Sequence, residues 1–292
     1  MNPFLNNKVS PEIPDYCYLI AEIGINHNGS LQIAKDLIAQ SKAAGFDAVK
    51  FQKRTIKIVY SPDVLKSARK SPWGETTLDQ KKGLEFSLDD YAEIDRYCKE
   101  LNIDWFVSCW DINSQKEMQR FNTPYNKIAS AMGNNWDFVK NVASEKKPTF
   151  ASTGMMNLEE IDKLVNIFEE YKCPLILMHT VSTYPALEKD LNLKCIITLA
   201  NRYKIPIGYS GHETNTAPSI FSAVLGAAVI ERHVTLDRAM YGSDQSASLE
   251  LPGMYALCST IRKLNNCLGD GEKKILPEEE TVSKKLRYWR QD

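Results

Sequence analysis

The chain has 292 residues, with 36 basic against 37 acidic side chains and 43% hydrophobic residues, a balance that excludes disorder and collagen-like repeats and supplies a sizeable core. A net charge of −1 excludes nucleic acid as a bulk electrostatic partner, which would need a basic face. Seven cysteines without a close C-x-x-C pair, an N-terminus MNPFLNNKVSPEIPDY with no basic-then-apolar leader, and no long apolar run argue against a disulfide framework, secretion and membrane spanning, and predict a reducing, cytoplasmic setting.

Apolar β-rich runs alternate with segments of helical period from residue 17 to 268. A strand is expected over Cys17–Ile25, then a helix over Ile33–Ala43 closed by Gly45, then a strand over Asp47–Gln52. The basic, Pro/Gly-containing segment Lys53–Phe86 is too long for a plain connector and is expected to be a functional or mobile loop. Ser87 opens a helix over Leu88–Leu101, followed by strands over Ile103–Cys109, Tyr125–Ala129 and Pro148–Ser152. Asn157 opens a helix over Leu158–Tyr171; a strand over Pro174–His179, a helix over Leu191–Tyr203 and a strand over Ile205–Ser210 come next. Gly226 precedes the last strand, Ala227–His233. Eight strands in alternation with helices predict an α/β fold, a (β/α)8 TIM barrel forming a single domain over 1–270 with a charged tail over 271–292.

In such a barrel the active site lies at the C-terminal strand ends. There the sequence places Glu22, Asn26 and His27; Lys50 and Gln52; Ser108 and Cys109; Lys127 and Ser130; Ser152 and Thr153; His179, Ser182 and Tyr184; Ser210 and His212; Glu231 and His233. Two lysines held in a barrel mouth with hydroxyls around them suit a phosphate or carboxylate. The alternative is that a lysine pairs with Glu22 or Glu231 as a structural ion pair. His212 and His233, on adjacent strands, could share one divalent ion, or each could be a hydrogen-bonded rim histidine. His27 and His179 are as readily structural as catalytic, and Cys109 is expected to be a packed thiol.

AEIGINHNGS (21–30), DAVKFQ (47–52), KIAS (127–130), STGM (152–155), STYP (182–185), GYSGHE (208–213), ERHVTLDR (231–238) and GSDQSASLE (242–250) resemble, in order, the sialic acid synthase (N-acetylneuraminate synthase) family. The resemblance implies a TIM-barrel transferase, expected as a homodimer, that condenses phosphoenolpyruvate (PEP) with an open-chain aldose to a 3-deoxy-ulosonic acid plus phosphate. It implies a divalent metal on His212 and His233, with Mn2+ first and Mg2+ or Co2+ as alternatives. Lys50, Lys127, Ser130, Ser152, Ser182 and Ser210 would hold PEP, while Gln52, Tyr184 and Asp244 would bind the sugar hydroxyls. Glu22, Lys50 and His233 are the expected catalytic residues, Glu22 beside the reacting carbons. A lysine Schiff-base pyruvate aldolase and a silent sugar-phosphate sensor are the rival readings.

The sequence departs from the family pattern at four positions. Cys109 stands for a threonine near the phosphate, Ser182 for an asparagine, Gly211 for an aspartate and Met132 for a glutamate that touches the sugar. No C-terminal antifreeze-like domain, with its sugar-site arginine, is expected to follow. Together with Met132 this predicts an acceptor other than plain N-acetylmannosamine. Substitutes for the missing contacts are sought in the basic segment, with Arg54, Lys57, Lys66, Arg69 and Lys70, which either closes over the site or is a solvated arm, and in Arg287 and Arg290.

Overall fold

The computed structural model describes residues 14–289. Its strands are β1 (Tyr18–Gly24), β2 (Ala48–Lys53), β3 (Ala68–Ser71), β4 (Gly74–Thr76), β5 (Asp104–Cys109), β6 (Asn126–Ile128), β7 (Thr149–Ser152), β8 (Leu175–Thr180), β9 (Ile207–Gly211) and β10 (Val229–His233). All but β3 and β4 close into one barrel in the order β1-β10-β9-β8-β7-β6-β5-β2, with every neighbouring pair parallel. Each of these eight matches a predicted run, with ends displaced by no more than two residues. β3 and β4 form a separate antiparallel hairpin.

Local sequence dictates where helices begin and end. Ser87 with Asp90, and Asn157 with Glu160, make reciprocal capping boxes at the helices Leu88–Leu101 and Leu158–Glu170, each worth about 0.5–2 kcal/mol. The helix Leu31–Ala44 ends on Gly45 at φ 103°, a left-handed conformation that costs glycine no Cβ clash. The helix expected from Leu191 starts instead at Cys195, because Asn192 sits at φ 43° and breaks the helical run.

The segment expected as a loop is folded. It contains the short helices Ile56–Val59 and Pro62–Lys66, the β3–β4 hairpin, and the helix Thr77–Leu84 opened by a Thr76–Asp79 capping box. Gly83 fastens it: a Cβ there would lie 2.1 Å from Trp73 Cγ, and a Cβ on Gly29 would lie 1.9 Å from the Gly83 carbonyl oxygen. Indole, helix and the turn after β1 therefore meet with no side chain between them.

Alternation along the barrel strands points every second side chain inward. Toward the N-terminal end the interior is apolar, with Tyr18, Ile20, Ala48, Phe106, Tyr125, Phe150, Ile176, Met178 and Val229 all buried. Phe106, Tyr125 and Phe150 interlock at 5.1–5.7 Å between ring centroids, and burial of each such ring contributes about 1.5–3 kcal/mol. Two residues further along, the inward position turns polar. Ile20 gives way to Glu22, Ala48 to Lys50, Phe106 to Ser108, Tyr125 to Lys127, Phe150 to Ser152, Met178 to Thr180 and Val229 to Glu231, all buried.

The chain divides into two compact units, Met1–Arg262 and Lys263–Asp292. The barrel lies in the first; the second carries the helix Pro277–Leu286 within the stretch read as a charged tail. Residues 1–13 of the N-terminus read for a leader, and Arg290, lie outside the described residues. No described helix is long and apolar enough to cross a membrane.

Candidate active site

The polar tier of the barrel encloses a cavity of about 170 Å3. Of the residues singled out from sequence, Glu22, Lys50, Gln52, Lys127, Ser130, Ser152, Ser182, Tyr184, Ser210, His212 and His233 line it. Asp244 stands outside this lining, its carboxylate 3.8 Å from His233 Nδ1. Ser108, Trp110, Thr180 and Glu231 also face the cavity.

Four buried charges form its floor. Lys50 Nζ lies 2.6 Å from Glu22 and 3.8 Å from Glu231, and Lys127 Nζ lies 3.5 Å from Glu231. Both ion-pair alternatives raised for the lysines therefore exist, and they coexist with exposure of the ammoniums to the cavity. Lys127 also donates to Ser152 Oγ at 2.6 Å, Ser210 donates to Glu231 at 3.0 Å, and Gln52 Nε2 donates to Glu22 at 2.7 Å. Burial raises the pKa of Glu22 to about 7 against the opposing field of Lys50. Burial acts the same way on Glu231, but Lys127 and Lys50 outweigh it and hold that carboxyl low. Burial pushes Lys127 down to about 8.

His212 donates Nδ1–H to the Val181 carbonyl at 2.8 Å, which leaves the Nε2 lone pair facing Tyr184 Oη at 2.8 Å. The His212 and His233 ring centroids are 5.5 Å apart. Burial, and then the neighbouring His233, press the His212 pKa down to about 4, so its ring is neutral. Ser182 Oγ, Glu231 Oε2 and His233 Nδ1 are buried without a hydrogen-bond partner, an arrangement that costs stability unless a polar ligand answers it.

Other expectations are corrected. Cys109 is not at the cavity: alternation in β5 turns Ser108 inward and Cys109 outward, where it lines a small separate pocket with Gln115 and Asn126. Met132 is not on the cavity wall either. The 3-10 turn Ser130–Met132 presents Ser130 and Ala131 to the cavity and swings Met132 into a neighbouring space of about 380 Å3 with Ile58 and Phe138. Trp110 borders both spaces. The case for an unusual acceptor therefore loses its Met132 support. At Gly211, a Cβ would fall 2.6 Å from Glu213 Oε2 and 2.7 Å from Tyr209 Cε1, and the Glu213 carboxylate is engaged by the buried Arg232 at 2.9 Å through its other oxygen, so these two side chains occupy the space an aspartate would need. His27 stacks on Phe86 at 3.9 Å and accepts from the Gly29 N–H, and His179 donates to the Leu191 carbonyl at 2.8 Å. Both are structural.

Trp110 and Thr180 were not singled out from sequence as site residues. For Thr180 the signal was present in the count Ile176, Met178, Thr180 along one face of β8; the chemistry of His179 drew attention to the opposite face. Trp110 follows the end of β5, where strand alternation gives no guidance.

The NeuB family matches residues 37–273. The N-acetylneuraminate-9-phosphate synthase of Homo sapiens is 36% identical over 273 residues, covering 92% of this chain and 76% of that protein. The N,N'-diacetyllegionaminic acid synthase of Legionella pneumophila is 34% identical, covering 88% and 75%. Among solved structures, the N-acetylneuraminic acid (sialic acid) synthetase of Leptospira borgpetersenii superposes with a TM-score of 0.81 at 27% identity, over 95% of this chain and 94% of that one. With kinship spanning the barrel and the strand ends that build its polar tier, the chain belongs to the NeuB family and is an enzyme, a sugar-acid synthase.

Proposed function

We propose that this enzyme joins C3 of PEP to the aldehyde carbon of an open-chain aldose, giving a 3-deoxy-2-ulosonic acid and phosphate. One observation carries the reading: two ammoniums, a set of serine hydroxyls and two neutral imidazoles share one small cavity at the strand ends. Lys50 and Lys127 neutralise the phosphate and carboxylate of PEP, and Ser130, Ser152, Ser182 and Ser210 donate to their oxygens. Gln52, Tyr184 and Asp244 orient the sugar through its hydroxyls. Attack by C3 forms the new C–C bond while the aldehyde oxygen takes a proton. Water adds to the cation left at C2, and the resulting tetrahedral carbon expels phosphate by C–O cleavage to leave a ketone. Glu22, pinned beside Lys50 and Gln52, is the carboxyl that stabilises the cation and moves a proton there.

The two imidazoles fit a divalent ion. His212 is fixed by the Val181 carbonyl in the tautomer that frees Nε2, the form in which an imidazole binds a metal, and His233 Nδ1 is a buried orphan. Bound there, Mn2+, or Mg2+ or Co2+ in its place, would supply Lewis-acid polarisation of the aldehyde. Among the described residues no group of three His, Cys, Asp or Glu is placed to hold a metal, so water and substrate would complete its coordination.

The test is phosphate release from PEP across N-acetylated hexosamines, hexosamines, hexoses and pentoses with divalent metal present. Release that depends on an aldose supports the reading, and PEP carrying 18O in its bridging position should pass that label to phosphate. Retention of the label in the ketone, or trapping of pyruvate on a lysine by borohydride, would overturn it.

A further inference from the structure

Behind the cavity wall, a buried ion pair joins the two chain segments that carry the paired histidines. Alternation along β10 turns Glu231 and His233 inward and Arg232 outward, and along β9 it turns Ser210 inward and Tyr209 outward. The backbone ladder between these strands ends where Arg232 faces Gly211, one residue short of each histidine. The Arg232 guanidinium carries the connection further. Its Nη1 donates to Glu213 Oε1 at 2.9 Å, to the Asn215 carbonyl at 2.7 Å and to Ser219 Oγ at 2.9 Å, and its Nη2 donates to the Glu213 carbonyl. Tyr209 Oη donates to Glu213 Oε2 at 2.7 Å, and Ser219 Oγ, on the helix Ala217–Val224, donates to Oε1 at 2.9 Å. The Arg232 and Glu213 side chains are 0% and 1% exposed, and neither lines the cavity.

Apolar side chains of the same volume would often stabilise such a wall as well as a buried ion pair does, so stability alone does not account for it. Geometry does. The planar guanidinium fork binds both the side chain and the main chain of Glu213, which fixes the residue immediately after His212 against the residue immediately before His233. The other anchors of the two histidines run apart. The His212 ring donates to the Val181 carbonyl and the His212 carbonyl accepts from Ala186 N–H at 3.0 Å, both in the loop after β8, whereas the His233 carbonyl accepts from Leu249 N–H at 2.8 Å. Those contacts tie each histidine to a different loop, and the Arg232–Glu213 pair ties the two to each other. We propose that Arg232 and Glu213 are positioning residues, which hold His212 and His233 at the separation that lets both rings reach one divalent ion. The shared ion rests on the function proposed above; the placing of the rings does not.

The experiment compares the native protein with Glu213→Gln and with the double variant Glu213→Leu/Arg232→Met. Glu213→Gln leaves a buried guanidinium unpaired and can unfold the chain for that reason alone, whereas the double variant removes both charges together. The chain has four histidines, so histidine-selective 15N labelling reads each ring separately in protein kept free of metal. The His212 and His233 ring signals are expected to shift or broaden in the double variant while those of His27 and His179 keep their places, and its Tm should stay near the native one. Calorimetry with Mn2+ should show an affinity about tenfold weaker or more, the scale on which groups behind a metal ligand act. Unchanged His212 and His233 signals, equal movement of all four histidines, or failure of the double variant to fold would reduce the pair to a structural role and overturn the proposal. If no protein binds Mn2+ but the two ring signals move selectively, the positioning stands and the metal reading falls. Mn2+ bound equally by native protein and double variant would do the reverse.

Discussion

Replacing Lys50 with methionine tests the buried charges through the pH dependence of stability. Glu22 is buried 2.6 Å from the Lys50 ammonium. Burial raises its pKa, Lys50 opposes the rise, and the balance falls at about 7. A carboxyl whose folded pKa exceeds its unfolded value contributes stability fully present below the unfolded value and lost as pH rises through the folded one. Without the ammonium the folded pKa climbs further, so the variant retains a proton that the native enzyme has released. At pH 6 Glu22 is largely protonated in both, so the gap there reflects the loss of the ammonium beside Glu231, 3.8 Å away, and sets the baseline. Above pH 7 the native ion pair forms and the variant has none, so the gap should widen by about 1.4 kcal/mol per pH unit. Urea unfolding of both proteins at pH 6, 7 and 8, in chelator, measures it. A gap that is constant or shrinks toward pH 8 would refute the coupling of Glu22 to Lys50.

Chelation should abolish turnover and Mn2+ or Mg2+ restore it, while His212→Ala should weaken metal binding measured by calorimetry; full activity in chelator would remove the metal from the mechanism. Gly83→Ala should cost about 1–3 kcal/mol through overpacking against Trp73, seen as a lower Tm and faster proteolysis near β3 and β4. Cys267 is exposed and Cys109 buried, with a thiol pKa pushed well above normal by burial. A thiol reagent should therefore label Cys267 in the native protein and Cys109 only after unfolding; rapid labelling of Cys109 would contradict its outward, packed position.

The barrel was legible because seven of its eight strands write the inward face twice, first apolar and then polar, as in Phe106 to Ser108 and Val229 to Glu231. Lys50, Lys127, His233 at the end of β10 and His212 just past the end of β9 could be located from that register alone. Features outside the strands were not. The turn Ser130–Met132 rotates its third side chain away from the cavity, and strand periodicity says nothing about such a turn. The segment 53–86 read as a loop because its helices are short and its apolar residues few. Its order comes from contacts distant in sequence, such as Gly29 against Gly83 and Gln80 against Tyr241.

The aromatic floor beneath the charged tier has a kinetic consequence. Phe106, Tyr125 and Phe150 interlock below Lys50 and Lys127, so packed rings close the well at its base. On the proposed reaction, the reactant assigned to the lysines would enter before the one assigned to Gln52 and Tyr184 at the rim. Initial-rate patterns should accordingly be those of an ordered mechanism, with the rim-bound reactant able to trap the first in place at high concentration.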